Sequence, residues 1–343
     1  MAAVFGLDWH LLLGRSVMSR LIRGGLAAFM LALATVASLS GARAQSYPVR
    51  PIRLFVSFPP GGAADIVARA VGLPLSGRLG QPVVVENRPG SNGNIAGEIV
   101  AHAAPDGYTL MLGNSALFGI NPHLYTRMSI DPLKELLPVA SLVSNALLLA
   151  ENPALPPKSF REFVEFARAA RPPLLYASIG NGSEHHLAME LLKQQAGIDL
   201  THVPYKGGGP AALGVMAGDV AAMFGGGSVT SLVQSGKMRG LAISGSARSP
   251  ALPDLPAIAE FYPGYEVTLW QGLFAPVGTP PEIVERLRTE VNTVLAVPEL
   301  GEKLSAAGSG DPYISTQAEF AARIRVDYER YGKVISSIGL KVE

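Results

Sequence analysis

From residue 52 onward, short apolar runs alternate with segments whose apolar residues recur every three or four positions. Ile52–Phe58 (IRLFVSF) reads as a buried strand that Pro59-Pro60-Gly61-Gly62 breaks. Asp65 then opens a helix with Ile66, Val67, Ala70 and Val71 on one face. Pro74 is expected to bend or end that helix early, because it has no amide to donate. Pro82–Glu86 and Tyr108–Leu112 predict two further strands around a short helix over Asn94–Ala103. Leu147–Ala150 predicts a strand that crosses to a second domain. There Leu174–Ala177, Leu200–Pro204, Val220–Phe224 and Arg239–Ser244 predict strands, and Pro210–Ala217 and Ser228–Ser235 predict helices between them. Val267–Pro276 predicts a long returning strand. Ser159 with Glu162, Thr279 with Glu282 and Thr316 with Glu319 have the spacing of capping boxes. Ile283, Leu287, Val291 and Val294 mark one late helix; Phe320, Ile324, Tyr328, Tyr331 and Ile335 mark the last.

Strand–helix alternation with short connections predicts an α/β fold with mainly parallel sheets. In such sheets ligands sit beyond the carboxyl ends of strands, where loops lead into helices. Four loops qualify: Phe58–Asp65, Asn87–Gly93, Ser178–Ser183 and Phe224–Ser228. All are rich in glycine or small polar residues. They suit an anion held by free amides at a helix start, and equally suit tight turns with Asp65 or Ser183 as a cap.

The first 44 residues differ in kind. Arg15, Arg20 and Arg23 precede the apolar run Leu26–Leu39, and Gly41-Ala42-Arg43-Ala44 supplies an A-x-A exit before Gln45. This is the pattern of a cleaved secretory signal, with the mature chain starting at Gln45 in the periplasm. An uncleaved anchor is the alternative, and Met18 would give a signal of more ordinary length. Residues 1–44 hold four of the 28 basic and one of the 27 acidic residues, so residues 45–343 balance 24 against 26. That balance gives no basic face for a nucleic-acid partner. The chain has no cysteine, which excludes disulfides, thiol nucleophiles and iron–sulfur clusters. Its apolar content of 48% outweighs 38 glycines and 27 prolines as a guide to order, and assigns those residues to turns.

Enzyme signals are weak. The sequence has no nucleophile elbow, zinc-protease helix, phosphate loop or dinucleotide fingerprint. His185-His186 is a poor metal pair, since adjacent helical residues point about 100° apart. No cofactor or metal is expected.

At these loops the chain strongly resembles the Bug-type solute receptors of tripartite tricarboxylate transporters. The matching stretches include Pro60-Gly61-Gly62 with Asp65, Leu79-Gly80-Gln81-Pro82-Val83-Val84-Val85-Glu86-Asn87, and Pro105-Asp106-Gly107-Tyr108. They continue with Gly180-Asn181-Gly182-Ser183, His186-Leu187, His202-Val203-Pro204-Tyr205-Lys206-Gly207 and Gly278-Thr279-Pro280. The resemblance implies a two-domain flytrap with a small organic acid in its central cleft. Residues 45–147 and 267–343 would form one domain, and residues 148–266 the other. It further implies a permease partner and no catalysis. The lack of one large exposed apolar stripe in the pattern predicts a monomer.

Carried over position by position, the family's ligand contacts fall on Phe58, Gly62, Ala63 and Asp65, and on Asn114 and Ser115. In the middle domain they fall on Ser178, Asn181, Ser183 and His186, with Tyr205 and Gly225 nearby. Ala64 stands where the family usually has a hydroxyl. Gly225 and Gly214 stand where many members have aspartate, Gly214 on an expected helix surface. The first two departures predict a roomier, less polar distal pocket and a larger acid, such as an aromatic carboxylate, over a compact dicarboxylate. Two other classes of function remain open at this point. One is a receptor that presents its ligand to a membrane sensor kinase; the other is an exported hydrolase or isomerase using Asp65, Ser183 or His186.

Overall fold

Apolar runs bounded by proline and glycine become strands, and those strands assemble into two sheets. The computed structural model describes residues 47–249 and 252–341. The export segment and the expected boundary at Gln45 lie outside the described residues. Strand β1 (Ile52–Val56) is followed by helix α1 (Ala63–Leu79), β2 (Val83–Asn87), α2 (Asn94–Ala101) and β3 (Thr109–Asn114). The long strand β4 (Leu136–Ala146) leads straight into β5 (Leu148–Glu151). Then come α3 (Phe160–Ala169), β6 (Leu174–Ser178), α4 (Glu184–Ala196), β7 (Leu200–Pro204) and α5 (Gly208–Ala217). Strands β8 (Ala222–Gly225) and β9 (Arg239–Ile243) flank α6 (Gly227–Gln234). Strand β10 (Thr268–Pro276), helices α7 (Pro281–Leu295) and α8 (Pro298–Ala306), β11 (Asp311–Pro312) and α9 (Gln317–Ile338) complete the described chain.

The first sheet runs β11-β4-β10-β3-β1-β2, and the second β7-β6-β8-β5-β9. Both are mixed. β1 pairs in parallel with β2 and β3, and β6 with β7 and β8. The strands that carry the chain between sheets run against their neighbours: β10 against β3 and β4, and β5 against β8 and β9. A strand entering from the other sheet needs no crossover helix, so nothing forces it parallel.

Helix α9 ties the two halves together. Its early residues Phe320 and Ile324 join the core of the first sheet with Phe118, Trp270 and Phe274. Its later residues Tyr331, Val334 and Ile335 join a core with Phe163, Tyr176 and Leu187 of the second half. Tyr328 is only half-buried; Asp327 takes the buried place beside it.

Pro74 does not end α1, which runs on to Leu79. The proline is exposed while Val71, Leu75 and Leu79 are buried. Proline on the exposed side of a helix leaves its missing bond where solvent can replace it, so the helix need not end there. Thr279 does not form a box with Glu282. The helix starts later, with Pro280 as its cap, and the Thr279 hydroxyl donates to the Pro276 carbonyl at 2.8 Å. Ser159 caps α3, but the Glu162 carboxylate accepts from the Lys158 amide rather than from Ser159. The Thr316–Glu319 box forms as expected.

Candidate functional site: a cleft between two helix starts

The loops after β1, β3 and β6 converge on one cavity of about 1020 Å3. Phe58 to Ala64 form one wall, with Asn92 beside them. Asn114, Ser115 and the β10 segment Leu269-Trp270-Gln271 form the floor, flanked by Leu124 and Tyr125. Ile179, Gly180, Asn181, Ser183 and Glu184 form the opposite wall.

On the first wall Gly62 caps α1 without a side chain, so no side chain occupies the first-turn amides of Ala63 and Ala64. Free amides at a helix start favour an anion. Asp65 stands behind this loop and does not line the cavity. Its carboxylate accepts from the Gly61 amide at 2.9 Å, from Arg69 Nε at 3.0 Å and from Asn87 Nδ2 at 3.0 Å. Arg69 chiefly, against the cost of burial, holds its pKa down at about 2. The same Asn87 amide donates to the Phe58 carbonyl at 3.0 Å. Asp65 and Asn87 therefore fix the loop that forms this wall of the cleft.

The opposite wall is differently equipped. Ser183 caps α4, accepting from the His186 amide at 3.3 Å and donating to the Gly180 carbonyl at 2.7 Å. His186 is buried behind it, and its Nδ1 accepts from the Gly182 amide at 3.1 Å. Its ring stacks on His202 at 3.9 Å, and His202 Nε2 meets the buried Ser178 hydroxyl at 2.6 Å. Burial lowers both histidines to about 4, Lys193 adding to it. Ser178 and His186 thus shape the loop from beneath without lining the cavity.

Tyr205 and Gly225 also lie outside the wall. The Tyr205 ring packs over Gly214, where an added Cβ would come within 2.3 Å of its hydroxyl; Gly214 is therefore buried and not a surface position. An added Cβ at Gly225 would meet Val229 at 2.2 Å. The room expected from the missing aspartate is filled by valine, so Gly225 gives no ground for a larger ligand. Arg88 pairs with Glu86 at 3.4 Å, away from the wall.

Of the expected set, Phe58, Gly62, Ala63, Asn114, Ser115, Asn181 and Ser183 wall the cavity. Asn92 sits on the expected loop Asn87–Gly93, whereas sequence reasoning missed Leu124, Tyr125, Gln271 and Glu184. Trp270 lines the floor, is buried, and donates from Nε1 to Asp327 at 2.7 Å. Glu184 was within reach, since it directly follows the cap Ser183.

Residues 67–340 match the profile of the tripartite tricarboxylate transporter family receptor, TctC. The chain belongs to this family. It is similar to the protein BugT of Bordetella pertussis, 34% identical over 317 residues, covering 91% of this chain and 96% of that one. Among solved structures it resembles Rpa4515 of R. palustris with adipate, at 33% identity and a TM-score of 0.73, covering 86% of this chain and all of that one. MatC of Rhodopseudomonas palustris with bound malate gives 32% identity and a TM-score of 0.69, covering 84% and 100%. The TctC family is one of solute-binding receptors, and the sheets and cleft described above are its architecture.

Proposed function

We propose that this TctC receptor binds a small organic acid through a carboxylate seated on the amides at the start of α1. The observation that carries the reading is a helix start capped only by Gly62, with Ala63 and Ala64 in the cavity wall. The adipate of Rpa4515 and the malate bound to MatC, two similar structures, support the ligand class. Asn114, Ser115, Asn181 and Ser183 would orient the ligand. Asp65, Ser178, His186 and Tyr205 would act by holding the loops. Residues 45–147 and 267–343 would close on residues 148–266 around it, with hinges in the strand connections near 147 and 267. The receptor works in the periplasm after cleavage before Gln45, and delivers its ligand unchanged to a membrane permease of the tripartite type.

A thermal-shift screen of the exported protein against carboxylates tests the first step, because a ligand specific for the folded state raises the melting temperature. A shift with the acid recovered intact is the expected result; consumption of the acid would make the protein an enzyme. Loss of uptake of that acid in a deletion strain is expected for transport. Unimpaired uptake with lost induction would point to sensing instead.

A further inference from the structure

The two walls of the cleft treat negative charge in opposite ways. At the α1 start no side chain occupies the amides. At the α4 start the protein supplies its own acid. The Glu184 carboxylate lies in the cavity wall and is 7% exposed. It accepts from the Ser115 hydroxyl at 2.9 Å, across the cleft, and from its own backbone amide. Burial pushes its pKa up, with these two bonds pulling it back. None of the residues lining the cavity is a lysine or arginine. A second carboxylate brought against Glu184 would therefore share a buried site with another acid, and with no lysine or arginine in the lining the two could not both stay ionised without cost.

The floor adds an independent sign. Gln271 lies opposite Asn114 in the β3–β10 ladder, next to the residue that binds Glu184. Gln271 is a lining residue, and its Oε1 is buried with no hydrogen-bond partner. A buried acceptor without a donor is costly, so a ligand that brings one gains from it.

Building on the carboxylate reading above, we propose that Glu184 is a specificity-determining residue. It restricts the receptor to acids with a single carboxylate whose far end is not anionic and carries a hydrogen-bond donor, a hydroxyl or an ammonium, for Glu184 and Gln271. Compact dicarboxylates are rejected by the wall that Glu184 occupies.

The test is calorimetric titration at pH 7.5 of protein purified from the periplasm and freed of carried ligand. One set of probes is hexanoate, 6-hydroxyhexanoate, 6-aminohexanoate and adipate; the other is benzoate, 4-hydroxybenzoate, 4-(aminomethyl)benzoate and terephthalate. Wild type is expected to bind a donor-bearing monocarboxylate at least about ten-fold more tightly than the dianion of the same set. The hydroxyl and amino arms distinguish the two donors. Glu184→Gln is expected to erase most of that ratio by gaining affinity for the dianion. Gln271→Leu, which leaves the charge in place, is expected to erase the advantage of the donor-bearing acid over hexanoate or benzoate. A wild-type preference for dianions, or ratios unchanged in these variants, would overturn the role of Glu184 while the receptor reading stands. Failure of every acid to bind wild type would overturn both.

Discussion

Asn87 Nδ2 donates to Asp65 Oδ1 at 3.0 Å, and this bond joins the end of β2 to the first turn of α1 directly behind the cleft loop. Asp65 also accepts from the Gly61 amide, and Asn87 also holds the Phe58 carbonyl. One buried carboxylate thus sets the conformation of a loop that glycine and proline alone would leave loose. Asp65→Ala is expected to strand these donors and cost about 1–3 kcal/mol of stability. Arg69 is more than half exposed, so its ion pair adds little to that figure. Ligand affinity should fall together with stability, because the amides of Ala63 and Ala64 lose their fixed direction. Chemical denaturation and a ligand titration on one preparation check both. Unchanged affinity in a destabilised variant would separate Asp65 from the site.

Acid is expected to weaken the fold well above the carboxylate range. His185, His186 and His202 are each lowered to about 4, chiefly by burial, so the unfolded chain takes up their protons first. Their contribution is complete above the ordinary value of 6.5 and is lost as pH falls toward 4, by up to about 1.4 kcal/mol per pH unit for each ring. Glu151 acts in the opposite sense. Burial raises it to about 7 against the pull of Arg239, so its contribution is complete below 4.5 and is lost as pH rises through 7. Glu184, which burial also pushes up, acts with Glu151, and His123, lowered by burial, acts with the other rings. Four rings outweigh two carboxyls between pH 4.5 and 6.5, and unfolding free energy should climb with pH across that window. His185→Phe should flatten the climb by the share of one proton, since the His185 Nδ1 has no hydrogen-bond partner to lose. Urea unfolding at half-unit pH steps measures the slope.

Local pattern made much of this molecule readable, and distant pairing hid the rest. Apolar runs closed by loops that contain glycine placed β1, β2, β6 and β7 within a residue or two, because each is a short run with a turn at its end. Strand β4 escaped notice: Pro138, Ser141, Ser144 and Asn145 interrupt its apolar character, and it is made a strand by β10 and β11, over 120 residues away. The cleft divides in the same way. Residues on the loops after β1 and β6 could be picked out because glycine and small polar residues gather there, whereas Asn114 and Ser115 after β3 were reached only through the family resemblance. Leu124, Tyr125 and Gln271 carry no local mark and enter the wall only when the sheets are assembled. Gly225 shows the converse error. It looked like missing bulk in a pocket, yet its neighbour Val229 owns that space. Gly225→Asp is accordingly expected to cost about 1–3 kcal/mol or more by overpacking, without restoring a ligand contact. A lower melting temperature with an unaltered ligand preference is the outcome to look for.

The last relationship bears on closure. Gly227 begins α6 in the half carrying the second sheet, and Gly308 follows α8 in the half carrying the first. An added Cβ on Gly227 would lie 2.8 Å from the Gly308 Cα, a distance real side chains do not reach. The backbones therefore touch because neither residue has a side chain. The φ of Gly227 is not positive, so alanine fits its local conformation and clashes only across the contact. Gly227→Ala is expected to bias the receptor toward an arrangement with the halves further apart. A ligand that needs both walls would then bind less tightly, by about ten-fold if the bias costs 1.4 kcal/mol. Small-angle scattering should show a larger radius for the variant without ligand, converging on wild type at saturation. Equal radii and equal affinity would mean that α6 and the 308 loop yield locally, and that the glycine contact plays no part in closing the cleft.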